Sequence, residues 1–135
     1  DVTDRPQVAA AARDCGDVTM VHNHAGIASV RNLLVADSIA ATQRMMETNV
    51  YGLLRVSQAF APVLAAKGGG ALLNVLSIAS WLSGPMLAAY AVSKAAAWSA
   101  TSRAAWTYPS WHLKSWLHAL SRPWKTATAK WRSTN

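Results

Sequence analysis

Blocks of apolar residues alternate with polar breaks over the first hundred positions, and the blocks differ in period. Asp4 before Arg5-Pro6 reads as a helix start: a capping carboxylate, then Pro in the first turn, where its missing N–H costs nothing. The Ala-rich run after it stops at Gly16. Residues 18–22 are a short β-rich run, and Asn23-His24-Ala25-Gly26 turns the chain away from it. Asp37 stands where it would cap a second helix reaching Met46. A third helix is expected over residues 49–67, stopping at Gly68-Gly69-Gly70. Residues 71–76 read as a buried strand. A polar loop with Ser77, Ser80, Ser83, Gly84 and Pro85 follows, and helix resumes at Leu87. Helix and strand alternate, which predicts an α/β fold with parallel strands.

Residues 68–93 carry no charge and are flanked by Lys67 and Lys94, so a membrane span has to be weighed. Asn74, Ser77, Ser80, Ser83 and Ser93, the three leading glycines and the Gly84-Pro85 break all argue against it, because their polar groups are costly in lipid. A buried strand followed by a site loop accounts for the run better. The chain of 135 residues has room for one domain with a modest core. Its 52% hydrophobic and 14% charged content favours buried parallel strands over disorder. The first residues show no basic stretch followed by an apolar one, as a secretory leader would. The single Cys15 excludes an intramolecular disulfide and fits a reducing compartment, so a cytoplasmic location is expected.

Charge is unevenly spread. All six acidic residues fall within residues 1–47, beside four basic ones, and the other nine basic residues follow with no acid among them. The net charge of +7 therefore belongs to the second half and is no nucleic-acid signature for the whole chain. From Ser102 the character changes. Trp106, Trp111, Trp116, Trp124 and Trp131 interleave with Lys114, Arg122, Lys125, Lys130 and Arg132. Leu113, Trp116, Leu117 and Leu120 make one short apolar stripe, with Lys114 and His118 on another face. Such a segment could stack on single-stranded bases or lie on an anionic membrane. One short stripe limited by Pro109 and Pro123 is thin support for either. The expected organisation is an α/β unit over residues 1–103 and an irregular basic tail over 104–135, with neither nucleic acid nor membrane as partner.

Candidate chemistry sits in the middle of the chain. Tyr90 and Lys94 are spaced i and i+4, which puts a phenol and an ammonium side by side on one helix face. A fixed positive charge favours a phenolate, and a phenol so placed can exchange a proton with an alcohol or carbonyl oxygen. Ser77 lies thirteen residues before the tyrosine, at the end of a hydrophobic run. Alone, Tyr-x-x-x-Lys is common, and its ordinary meaning is a solvated Lys beside a half-buried Tyr. It gains weight from Asp1-Val2-Thr3-Asp4, from Asn23-His24-Ala25-Gly26 after the first strand, and from Asn49-Val50-Tyr51-Gly52 at a helix start. All appear in the order an α/β dinucleotide-binding protein needs.

In these elements residues 1 to about 103 resemble the short-chain dehydrogenase/reductase family. The resemblance implies a partial Rossmann-like, doubly wound parallel sheet of about two strands with flanking helices. It implies NAD or NADP as cofactor and hydride transfer between the nicotinamide and a small alcohol or carbonyl substrate. Tyr90 would be the acid/base, and Lys94 would support the tyrosine and bond the nicotinamide ribose. Ser77 would polarise the substrate oxygen. Asn49 would sit at a helix irregularity and help hold a relay water. Asp1 and Val2 match the family's element beside the adenine. Asn23, Ala25 and Gly26 match its Asn-Asn-Ala-Gly element lining the cofactor cleft. The family commonly associates through its two long helices, here near residues 49–67 and 87–103, so the resemblance implies that a full-length relative can form a homo-oligomer.

Departures from the pattern are specific. His24 replaces the second Asn of that element, and His22 takes a position usually apolar. A buried His22 would need a partner, and a metal held by His22 and His24 lacks a third ligand. The glycines at 16, 26, 52, 68, 69, 70 and 84 supply no phosphate-binding turn between strand and helix. The family's first two strands, and with them the residue choosing NAD or NADP, would precede Asp1. Nothing after Arg103 resembles the family's continuation, as a shifted reading frame or a fusion would produce. The chain alone is expected neither to fold stably nor to turn over substrate.

Overall fold

The computed structural model describes residues 1–104, with side chains through Thr101. The tryptophan-rich tail and its stripe of Leu113, Trp116, Leu117 and Leu120 lie outside the described residues. Helix α1 (Arg5–Asp14) leads to strand β1 (Met20–Asn23). Next come helix α2 (Ser38–Met46), a π-helical turn (Glu47–Gly52) and helix α3 (Leu53–Ala66). Strand β2 (Ala71–Asn74), a 3₁₀ turn (Ile78–Ser80) and helix α4 (Ala88–Ala104) complete the order. The strands pair in parallel, Met20 opposite Ala71 through Asn23 opposite Asn74. The fold is thus a partial Rossmann-like α/β unit of two strands with flanking helices.

The cap of α1 forms as the sequence predicts: Asp4 Oδ1 accepts the Gln7 N–H at 3.0 Å. Asp37 does not cap α2; its carboxylate pairs with Arg31 instead. The second and third helices are also not separate. Met46, Glu47, Gly52 and Leu53 all keep right-handed helical dihedrals, so the ladder widens for one turn and resumes. The result is one rod from Ser38 to Ala66. It ends as expected at the glycines, where Gly68 and Gly69 take φ of +82° and +114° and the Gly69 N–H returns to the Leu64 carbonyl at 3.0 Å.

Gly52 closes the π turn for a packing reason. A Cβ placed there would stand 2.7 Å from Val2 Cγ2. Gly52→Ala is therefore expected to cost about 1–3 kcal/mol through overpacking, read as a lower melting temperature. An unchanged melt would mean that Val2 swings aside freely.

Among the described residues, three clusters form the core. Ala12 and Val18 meet Phe60 and Leu64 where α1 packs on α3. Ala41 and Met45 meet Ala89 between α2 and α4. Val50 and Leu53 meet Ala97 where the rod crosses α4. Strand β2 departs from its expected burial and extent: it ends at Asn74, and Leu72 and Leu73 are 39% and 51% exposed. Among the described residues only β1 pairs with it, so an apolar run suited to a two-sided sheet is covered on little of its surface. No helix among the described residues is long and apolar enough to cross a membrane. Residues 68–93 instead hold β2, the 3₁₀ turn and the start of α4.

Candidate active site

Helix α4 carries Tyr90 and Lys94 on successive turns, with the Lys94 Nζ 5.8 Å from the centre of the Tyr90 ring. The tyrosine is half-buried and the lysine is only 6% exposed. That departs from the ordinary picture of a solvated Lys. Burying an ammonium is costly unless it is paired. Among the described residues no carboxylate lies within salt-bridge range of it: the ion pairs are Arg31 with Asp37 and Arg55 with Glu47. Among the described residues its one hydrogen bond goes to the Val75 carbonyl at 3.3 Å. An ammonium has three N–H donors, so two remain to be spent at the cavity that Lys94 lines.

That cavity measures about 170 Å³. The turn after β1 contributes His24, Gly26 and Ile27 to its wall, the segment after β2 contributes Val75, and α4 contributes Tyr90 and Lys94. A groove of about 510 Å³ between Leu33, Ile39, Met46 and Tyr51 is larger, but neither Tyr90 nor Lys94 reaches it. Gly26 belongs at the cavity because its backbone comes close to the polar centre. A Cβ there would lie 3.3 Å from Asn49 Oδ1 and 3.5 Å from Lys94 Nζ.

Asn49 lies in the π turn, 1% exposed, and its amide is fully engaged. Its Oδ1 accepts the Ile27 N–H at 2.8 Å, and its Nδ2 donates to the Ile27 carbonyl at 2.9 Å. The remaining Nδ2 hydrogen goes to Ser93 Oγ at 2.9 Å. Ser93 in turn donates to the Tyr90 carbonyl at 2.8 Å. One side chain thus ties the turn after β1, the rod and the Tyr90–Lys94 turn together. Ser93 is 0% exposed, and sequence reasoning gave it no part in the site. Its only sequence signal was a hydroxyl inside an otherwise apolar helical run, next to Lys94.

The remaining candidates stand elsewhere. Ser77 caps the 3₁₀ turn, its Oγ accepting the Ala79 N–H at 3.1 Å, and it does not line the cavity. Asn23 is buried behind the turn and spends its two Nδ2 hydrogens on Asn74 Oδ1 at 2.8 Å and Ser57 Oγ at 3.2 Å. Ala25 is exposed and does not line the cavity. Asp1 accepts the Thr3 N–H at 2.9 Å, and Val2 packs on Gly52. His22 is exposed, so it needs no buried partner; its ring stacks on that of His24 with centres 5.7 Å apart.

The spare donors of Lys94, the Tyr90 phenol and the close approach at Gly26 fit the nicotinamide–ribose half of a dinucleotide. For the phosphate half, the described residues offer no Gly-rich turn between a strand and a helix.

A family model described as short chain dehydrogenase matches residues 1–114. The dehydrogenase RED2 of Cochliobolus heterostrophus is 32% identical over 100 residues, covering 71% of this chain and 37% of that protein. Gluconate 5-dehydrogenase of Gluconobacter oxydans is 36% identical over 100 residues, covering 71% and 39%. Among solved structures, a short chain dehydrogenase from Burkholderia cenocepacia in complex with NADP superposes with a TM-score of 0.73 at 39% identity. That match covers 78% of this chain and 44% of the other. The chain spans less than half the length of each of these relatives, and it belongs to the short-chain dehydrogenase/reductase family.

Proposed function

We propose that this chain carries the proton-transfer half of an NAD(P)-dependent oxidoreductase site acting on a small alcohol or carbonyl. The observation that supports this most is Lys94: an ammonium buried without a carboxylate among the described residues, with donors left for a cavity it shares with Tyr90. When bound, the nicotinamide supplies or accepts the hydride. Tyr90 gives its phenolic proton to the substrate oxygen in reduction and takes it back in oxidation. Lys94 would support the charge that builds on the phenol oxygen and would hold the ribose hydroxyls of a bound nicotinamide cofactor. Asn49 fixes Ile27 and, through Ser93, the turn that carries both residues. Ser77 is the candidate for polarising the substrate oxygen, because its hydroxyl hydrogen is not used in capping the 3₁₀ turn. Asp1 and Val2 are assigned to the adenine side, and Asn23, Ala25 and Gly26 to the cleft wall. The Burkholderia relative is described with NADP, and a 7α-hydroxysteroid dehydrogenase at TM-score 0.72 with NADH, so both nicotinamides stay in the proposal.

The working unit proposed is residues 1–103. Cytoplasmic placement and association through the rod and α4 belong to the same reading. Residues 1–135 alone have no phosphate cradle among their described part, so this polypeptide is expected to give no turnover. The test uses two polypeptides: the chain itself, and the chain preceded by a segment supplying the two strands and the Gly-rich turn that the family resemblance places before Asp1. NAD(P)H-dependent reduction of a panel of ketones is expected only from the extended form. Turnover by the chain alone would overturn the inactivity. An extended form that folds and binds NADPH yet reduces nothing would overturn the site.

A further inference from the structure

The geometry points to a second site beside the cavity: His22 and His24, of which His24 lines the cavity wall, form a two-imidazole chelate for a borderline divalent transition ion such as Zn²⁺. Alternate residues of a strand project to the same side. His22 lies in β1 and His24 is the first residue after it, and the order of exposure still follows that rule. Asn23 turns inward, 8% exposed and bonded to Asn74 and Ser57, while the imidazoles on either side are exposed. Their rings lie 5.7 Å apart at 12°. The inward bonds of Asn23 and the β1–β2 pairing hold the backbone between them, so both rings start on one side of a fixed segment.

Neutral imidazole is a ligand for zinc, nickel and copper, whereas magnesium and calcium take oxygen ligands. Zinc bonds each nitrogen at roughly 2.0–2.1 Å, so the two nitrogens must come within about 3–3.5 Å of each other. The rings are exposed and can turn about their side-chain bonds to do so. No group of three His, Cys, Asp or Glu able to hold a metal occurs among the described residues, so water completes the shell. His24 also lines the Tyr90–Lys94 cavity, so a bound ion stands at its mouth. Neither residue has a part in the proton transfer described above, and the chelate does not depend on that reading.

The probe is zinc chloride alone, titrated calorimetrically into the full chain with His112→Ala and His118→Ala, which removes the other two histidines. One Zn²⁺ per chain is expected. His22→Ala and His24→Asn should each weaken binding on the order of 10–100-fold, because losing either ring turns an intramolecular second bond into none. Circular dichroism of each variant checks that these exposed substitutions leave the fold unchanged. Equal affinity in either variant, no saturable binding, or binding that persists unchanged in concentrated urea would each overturn the proposal. The last outcome would place the chelate in the flexible chain and not in the strand.

Discussion

Asn49→Ala is expected to lower stability by about 3 kcal/mol, one for each of the three hydrogen bonds its amide makes. Alanine leaves the Ile27 N–H and carbonyl without their partner and takes the donor away from Ser93, which is wholly buried. For a domain of this size the loss amounts to a fall of roughly 10–20 °C in melting temperature. Measured in the extended polypeptide by urea denaturation, the midpoint should move down with little change in slope. Asn49→Asp should recover only part of the loss, since a carboxylate accepts from Ile27 N–H but cannot donate to its carbonyl or to Ser93. A change below about 0.5 kcal/mol, the size typical of an unremarkable surface substitution, would show that the clamp does not hold the turn.

Tyr90→Phe in the extended polypeptide should reduce kcat by about 10²–10⁴-fold, the usual worth of a positioned proton donor. NADPH affinity should hold, because the ring stays half-buried against α2 and Lys94 keeps its bond to the Val75 carbonyl. Lys94→Met should damage both. It deletes the ammonium near the phenol and the donors assigned to the ribose, so kcat falls and the apparent cofactor Kd rises together. Stopped-flow hydride transfer with fluorescence titration of NADPH separates the two effects. Full turnover in Tyr90→Phe would remove the phenol from the reaction.

The parts of the site visible in the sequence were those set by local periodicity. Tyr90 and Lys94 meet because four residues make about one helical turn, and Asp4 caps α1 because its partner is three residues away. Asn49 was legible as a candidate, but not its partners, since Ile27 and Ser93 are 22 and 44 residues distant. The unbroken rod was also hidden. Asp37 and Asn49 both look like helix starts, and only packing against α4 shows that the chain passes through Asn49 with a widened turn. Leu72 and Leu73 read as core because they are apolar, yet burial depends on what lies beside a strand, and among the described residues β1 alone pairs with this one.

The sequence by itself determined the α/β order, the helix that sets a phenol beside an ammonium, and the glycine stop before β2. Each is decided by residues within a turn or two of one another. Tertiary structure decided that Lys94 is buried, that Asn49 and Ser93 hold the turn around it, and that Asn23 faces α3. Those outcomes rest on contacts between segments far apart in the chain, where the energy of one hydrogen bond or one close approach depends on where the partner arrives.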